Sequence, residues 1–159
     1  VNFSGAKSNL FITESIDSVS KKENGKISRE VTVEFKNPYP ASDCNLERGG
    51  LCLNALHKNW IRLYVPKGSE LVNFTGSTKQ VQTYEELGKT VFEGYLEVPT
   101  EGMAKVIVKY TLPSSLTQAA DSILVQKQPG VLNQKLKVTV DGKKLYDDEF
   151  KVDQELKAK

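Results

Sequence analysis

Alternation of apolar and polar residues dominates the chain and predicts β-strands. In residues 26–36, the apolar side chains Val31, Val33 and Phe35 fall on one face and polar side chains fall on the other. The same period of two recurs in the segments 9–19, 60–65, 90–98, 104–112, 122–126, 134–140 and 145–152. Short strands at this spacing are typical of an antiparallel sandwich. We therefore predict an all-β fold of about eight strands in two packed sheets, of immunoglobulin-like or fibronectin-like type.

Turn signals divide these strands. Asn24-Gly25 and Asp141-Gly142 are typical of tight hairpin turns, and prolines follow several of the other strands. Two short segments, 84–87 and 114–121, are expected to hold a helical turn at most. We predict one domain over residues 1–154 and a frayed tail or linker over residues 155–159.

The inner faces of the two sheets are expected to carry the core. Along one strand, Trp60, Arg62 and Tyr64 alternate with Ile61, Leu63 and Val65. Because Arg62 is charged, we expect the face of the strand that carries it to point outward. We therefore place the Ile61 set inside and expect a neighbouring loop to cover Trp60. The nine residues predicted for the inner faces are Val31, Val33, Phe35, Ile61, Leu63, Val65, Val106, Val108 and Tyr110.

The composition of the chain limits the classes of partner that we expect. The chain has 159 residues and a formal net charge of +2, and its basic residues are 19 lysines and only 3 arginines. A nucleic-acid-binding protein would show a clustered basic excess, with arginines for phosphate recognition, so we expect no nucleic-acid partner. No apolar run is long enough to span a bilayer. The chain begins with Val1 and its only methionine is Met103, which suggests a mature secreted protein or a segment of a larger one.

The two cysteines offer three alternatives. Cys44 and Cys52 flank Gly49-Gly50, which lets the intervening loop fold back so that a disulfide can close. Free thiols are the second alternative. The third is a metal site with His57, but zinc needs four ligands and usually a shorter cysteine spacing. We favour the disulfide, which fits an oxidising compartment.

Catalytic residue types are scarce. His57 is the only histidine and is expected at the surface, and no serine lies in a nucleophile-elbow motif. The carboxylate pairs Glu85-Glu86 and Asp147-Asp148 point to opposite faces of their strands, so neither forms a glycosidase pair alone. The acidic residues 147–149 have the charge and the oxygen atoms to ligate calcium. Acidic residues are equally expected at the solvated edge of a strand, where charge keeps the protein soluble. We predict no catalytic residues, no metal and no cofactor.

Aromatic residues are the best candidates for ligand contact. Trp60 and Tyr64 lie four residues apart and therefore on one strand face. A carbohydrate-binding module would use such a row of exposed rings, whereas a tryptophan on a strand more often packs in a core. Both alternatives stay open from the sequence.

Three stretches carry a resemblance to a known family. They read WIRLYVPKGSEL from Trp60, TYEELGKTVFEGYLEVP from Thr83 and AKVIVKYTLP from Ala104. Together with GAKSNLFITESID and VTVEFKNP, they resemble the C-terminal region of an uncharacterised family of large bacterial surface proteins, a domain of unknown function. The resemblance covers most of the chain but contains no catalytic signature.

The resemblance implies a segment of an exported, membrane-tethered protein whose anchor lies elsewhere in the sequence. We therefore expect a non-enzymatic extracellular module that supports or binds something at the bacterial surface. A cell-wall glycan and another surface protein are the candidate partners. The alternatives are a carbohydrate-binding module and an accessory domain of a cell-wall hydrolase.

Overall fold

The computed structural model describes residues 7–116, 122–132 and 134–157. This part of the chain is almost entirely β-structure, with three single-turn 3-10 helices at Ser8–Leu10, Leu46–Arg48 and Ser114–Leu116. The strands are β1 Thr13–Glu23, β2 Lys26–Asn37, β3 His57–Pro66, β4 Glu70–Thr75, β5 Gln82–Glu86, β6 Lys89–Val98, β7 Gly102–Thr111, β8 Ser122–Val125, β9 Gln134–Val140, β10 Lys143–Glu149 and β11 Gln154–Lys157.

The strands form a sandwich with one continuous layer and one divided layer. The continuous layer is a six-stranded sheet in the order β10-β9-β1-β2-β7-β4. The divided layer consists of a three-stranded sheet, β3-β6-β5, and a two-stranded sheet, β11-β8. Within the described residues, every strand pair is antiparallel except β1–β9, which is parallel.

Both smaller sheets pack on the same face of the large sheet. The three-stranded sheet contributes Val65 and Phe92 to a cluster with Val31 and Val108 of the large sheet. The two-stranded sheet contributes Ile123 to a second cluster, with Leu136, Val138, Val140 and Phe150. Ile16 of β1 packs against both clusters and so joins the two halves of the core. Burying these side chains is the main favourable contribution to folding.

The all-β sandwich is confirmed, and so is the predicted core. Each of the nine predicted inner-face residues is buried or packs against a buried cluster. The two predicted hairpin turns also form: Asn24, Gly25, Asp141 and Gly142 all have positive φ. Positive φ at both central residues is the geometry of the type I′ turn, whose twist matches that of the flanking strands.

Several local predictions were wrong. Residues 84–87 do not form a helical turn, because Tyr84 lies in β5 and Leu87-Gly88 makes a third turn with positive φ at both positions. Residues 155–157, predicted as a tail, form β11 on β8. The segment 114–121 begins with the 3-10 turn Ser114–Leu116, and its remainder lies outside the described residues.

Eleven strands are present in the described part of the chain instead of about eight, since β4, β5 and β11 were not predicted. In the same part of the chain, no helix combines the length and the apolar character that crossing a bilayer requires.

Candidate functional site

The outward surface of the three-stranded sheet carries both candidate aromatic residues, Trp60 and Tyr64. Trp60, Arg62 and Tyr64 of β3 pair with Tyr95, Glu93 and Val91 of β6, and Tyr84 of β5 pairs with Val91 from the other side. Paired residues in an antiparallel sheet point to the same face. We call this surface, made of Trp60, Arg62, Tyr64, Tyr84, Glu86 and Glu93 over the β6 backbone, the aromatic face.

The side chains of the edge strands cover the central strand. Val91 is fully buried although it points outward, and it lies between Tyr64 and Tyr84 in the pairing register. Tyr64 remains 43% exposed, and Tyr84 is half-buried. The aromatic face therefore presents tyrosine rings to solvent above an apolar floor.

A polar network fixes the orientation of these side chains. The Arg62 guanidinium donates to Glu93, and the Tyr84 hydroxyl donates to the same Glu93 oxygen at 3.0 Å. The Tyr64 hydroxyl donates to Glu86. Glu93 is only 7% exposed, so its carboxylate needs these donors to offset the cost of burying a charge. The network holds Arg62, Tyr64 and Tyr84 in defined positions across three strands.

The electrostatic effects of the network are consistent with this geometry. Glu86, which accepts the Tyr64 hydroxyl bond, raises the pKa of Tyr64 above its usual value. Partial burial and the bond to Glu93 raise the pKa of Tyr84. The bond and the charge of Glu93 raise the pKa of Arg62. Near neutral pH both tyrosines are therefore uncharged hydroxyl groups, and Arg62 is a cation.

A loop closes one end of the aromatic face. The Lys79 ammonium lies 5.4 Å from the ring centre of Trp60 and 4.2 Å from that of Tyr95. The loop is attached to β6, because the Thr78 amide donates to the Tyr95 carbonyl and the Tyr95 amide donates to the Ser77 hydroxyl. The Trp60 and Tyr95 rings meet edge to face at 5.0 Å. The prediction that a neighbouring loop covers Trp60 is thus confirmed.

The cysteines form the predicted disulfide. Cys44 and Cys52 are bonded to each other and close the loop between β2 and β3. Inside the loop, the Asp43 carboxylate accepts from the Asn45 amide, and the Asn45 side chain accepts from the two amides that follow Leu46. Gly50 packs so tightly that an added Cβ would lie 2.7 Å from the Asp43 carbonyl oxygen. This loop is therefore held by covalent and polar contacts at once.

His57 is not at the surface, so that expectation was wrong. It is 4% exposed at the start of β3, and its Nδ1 has no hydrogen-bond partner among the described residues. Burial lowers its pKa below the usual value. The cause is desolvation, which penalises the imidazolium form. His57 is therefore a neutral, enclosed side chain and does not meet the cysteines in a metal site.

The acidic clusters do not converge. Glu85 pairs with Lys67 at 3.0 Å, whereas Asp147 pairs with Lys144 at 3.0 Å on a different sheet. Glu149 pairs with Lys151 at 2.9 Å. Within the described ranges, no three His, Cys, Asp or Glu side chains form a group that could hold a metal ion. The calcium alternative for residues 147–149 gains no support.

Sequence reasoning identified part of the aromatic face. Trp60 and Tyr64 do share its surface, and whether they contact a ligand stays a prediction. Glu86 was considered only as half of the Glu85-Glu86 pair, Tyr84 was not placed on this surface, and Glu93 was missed. The alternation of residues 90–98 already placed Glu93 outward, but Tyr84 was assigned to a helical turn, so the two edge strands were not combined.

Comparisons with known proteins give little further information. No family model matches the chain, and no curated protein matches it. Among solved structures, it is similar to an M1 zinc metallopeptidase from Deinococcus radiodurans, with 10% identity and a TM-score of 0.35. An E323A mutant of this peptidase gives 12% identity and 0.36. In both comparisons the match covers 80% of this chain and 31% of the peptidase chain.

Proposed function

We propose that this chain is a non-enzymatic binding module of a larger bacterial surface protein, and that it works outside the cytoplasm. The observation that carries the proposal is the Cys44–Cys52 disulfide. Structural disulfides persist in oxidising compartments and are rare in the reducing cytosol. The resemblance to the C-terminal region of bacterial surface proteins supports the same location.

The positions of the reactive side chains support a role without catalysis. Both thiols are consumed in the disulfide, and the single imidazole is enclosed and kept neutral by burial. The acidic pairs lie on separate sheets and bond to different partners. The aromatic face, by contrast, is an open, ordered surface of the kind that binds a ligand without transforming it.

The location is tested by labelling intact cells that make the full-length protein. A membrane-impermeant amine reagent should modify exposed lysines of this domain, such as Lys67, Lys89 and Lys143, before lysis. A cytoplasmic protein of the same cells serves as the control and should stay unmodified until lysis. Modification of this domain only after lysis would contradict an extracytoplasmic location.

The absence of catalysis is tested by screening the purified chain against peptidoglycan, glycan, ester and peptide substrates. We expect no turnover above that of a heat-denatured sample. Turnover that is lost on Glu86→Gln or Asp147→Asn, with the fold intact, would show that a carboxylate site operates and would refute the proposal.

A second candidate function is that of a carbohydrate-binding module or an accessory domain of a cell-wall hydrolase. The observation that favours it is the grouping of Trp60, Tyr64 and Tyr84 on one outward surface. Aromatic rings give a large apolar contact area at a low cost in conformational entropy.

A further inference from the structure

We infer that the aromatic face binds a neutral, linear oligosaccharide that stacks on Tyr64 and Tyr84 and runs past Arg62 toward the loop over Trp60. The inference deepens the proposed function and rests on it for the source of the ligand, since cell-surface glycans are met outside the cytoplasm. The ligand class follows from three properties of the face: its rings, its hydrogen-bonding groups and its charge balance.

The rings are arranged for an extended ligand. Tyr64 and Tyr84 lie on the two edge strands and flank the same residue of β6, so their Cα atoms are about 10 Å apart across the sheet. Tyr84 lies on the far side of β6 beside buried Val91 and widens the platform next to Tyr64. A pyranose ring has an apolar C–H surface that stacks on an aromatic ring. Two stacking points at this separation suit a short oligosaccharide better than a single sugar.

The polar groups lie beside the stacking points. Arg62 lies between Trp60 and Tyr64 on the same surface, and its side chain is 47% exposed although one N–H bonds to Glu93. A guanidinium has five N–H donors, so the others can reach hydroxyl groups of a ligand. The Glu86 carboxylate beside Tyr64 is an acceptor. Hydroxyls both donate and accept, and therefore match this mixed set.

The charge balance favours an uncharged ligand. Charges of both signs lie on the outward surface of the three-stranded sheet and its loop: four positive charges from Lys58, Arg62, Lys79 and Lys89, and three negative charges from Glu86, Glu93 and Glu97. A phosphorylated or strongly acidic polymer would meet Glu86 as a like charge, and a polyamine would meet Arg62 in the same way. Because the hydrogen-bond network already fixes these side chains, the protein loses little conformational entropy when a ligand binds.

The aromatic face is open at one end, which favours a linear ligand. The loop that carries Lys79 stands over Trp60, while Tyr64 at the other end is exposed. A glycan chain can therefore continue beyond Tyr64, and in the other direction it meets the loop at Trp60. An extended glycan that lies along the strand fits this shape.

The chain provides its own reporter for the test, because Trp60 is its only tryptophan. Purified protein is titrated with neutral linear oligosaccharides (gluco-, manno- and N-acetylglucosamine series), and tryptophan emission and calorimetric heat are followed. We expect a saturable change in emission at millimolar or lower concentration for at least one series. Tyr64→Ala and Arg62→Ala should each weaken binding by roughly tenfold or more, the truncation cost of a central interface residue.

Two variants serve as controls. Tyr39→Ala removes another exposed tyrosine, which follows β2 and lies outside the aromatic face, and should leave the affinity unchanged. Tyr64→Phe keeps the ring and loses only the bond to Glu86, so it should keep most of the affinity. Circular dichroism and urea unfolding show whether each variant is folded.

Several outcomes would overturn the inference. These are no binding by any neutral series at millimolar concentration, binding that Tyr64→Ala and Arg62→Ala leave unchanged, and binding only to charged polymers or to a protein. The titrations use purified protein and do not depend on cellular location. Failure of the glycan inference is therefore distinguishable from failure of the proposed location.

Discussion

Asn37 and Asn54 bond to each other through both side-chain amides, with N···O distances of 2.8 and 3.3 Å, although 17 residues separate them. Both are fully buried. Asn54 also donates to the carbonyl oxygens of Tyr39 and Pro40, at 3.2 and 2.8 Å. Asn54, near the end of the loop that precedes β3, is thus attached to the end of β2 and to the start of the same loop.

Replacing Asn54 with alanine should therefore destabilise the protein strongly. The substitution leaves buried acceptors without donors, and the expected loss in free energy of unfolding is about 3 kcal/mol. Urea unfolding measures it. Asn73→Ala is the control, since Asn73 is exposed on β4 and should change stability by less than about 0.5 kcal/mol. Equal effects of the two variants would contradict the role given to Asn54.

The disulfide should stabilise the folded protein independently of the contacts between Asn37 and Asn54. Closing a loop between residues 44 and 52 stabilises the folded state by roughly 2–3 kcal/mol in the chain-entropy model. The double variant Cys44→Ser/Cys52→Ser should therefore unfold at lower urea concentration while keeping its β-type circular dichroism. A wild-type sample with reductant is the matched comparison and should behave in the same way. Loss of the β-signal in the double variant would show that the loop is required for the whole fold.

His57 should make stability dependent on pH. Its pKa in the folded protein is lowered by burial, and in the unfolded chain it is near 6.5. Below about pH 6.5 the unfolded chain therefore binds a proton that the folded protein does not, so stability falls as the pH is lowered. Burial raises the pKa of Glu14, so there the folded protein holds a proton that the unfolded chain releases, and this contribution to stability has the opposite sign.

Comparison with His57→Gln isolates the histidine, because it is the only one in the chain and Glu14 is present in both proteins. The wild type should lose more stability than the variant between pH 7.5 and pH 5.5, a range chosen to span roughly one unit on either side of the unfolded pKa. Urea midpoints at the two pH values give the difference. A wild-type curve parallel to that of the variant would argue that His57 is accessible to protons in the folded state.

Gly94 should not tolerate a side chain. An added Cβ would lie 2.5 Å from the Cζ atom of Phe74, which packs between the two layers. Gly94→Ala should cost about 1–3 kcal/mol through overpacking. Combining it with Phe74→Leu, which removes the far edge of the ring, should recover part of that loss. If the double variant loses as much stability as the two single variants together, the contact between Gly94 and Phe74 is not the cause of the Gly94→Ala effect.

The sequence was sufficient to predict the architecture, because the period of two and the Asn-Gly and Asp-Gly turns are local signals. It failed at Leu87-Gly88, where a leucine adopts positive φ and conceals the hairpin between β5 and β6. Leucine carries no turn signal, so Tyr84 was separated from the strand pair to which it belongs. The parallel pairing of β1 with β9 was missed because it joins segments that are distant in sequence.

The candidate site could be predicted only in part, because the spacing of residues along one strand is visible in the sequence and the order of strands in a sheet is not. Trp60 and Tyr64 share a face by spacing along one strand, which the sequence displays. Their relation to Tyr84 and Glu93 depends on strand order, and strand order is a tertiary property. His57 was expected at the surface because it follows a loop and precedes the predicted strand 60–65, but it is the first residue of β3 and is buried.

The most direct test of the central claim, that this domain works outside the cytoplasm, is the oxidation state of Cys44 and Cys52 in living cells. Cells that make the full-length protein are quenched with acid, alkylated under denaturing conditions and analysed by mass spectrometry without reduction. We expect Cys44 and Cys52 to be recovered as one linked, unalkylated pair. Recovery of both cysteines in alkylated form would mean that the domain resides in a reducing compartment, and would contradict the proposed function.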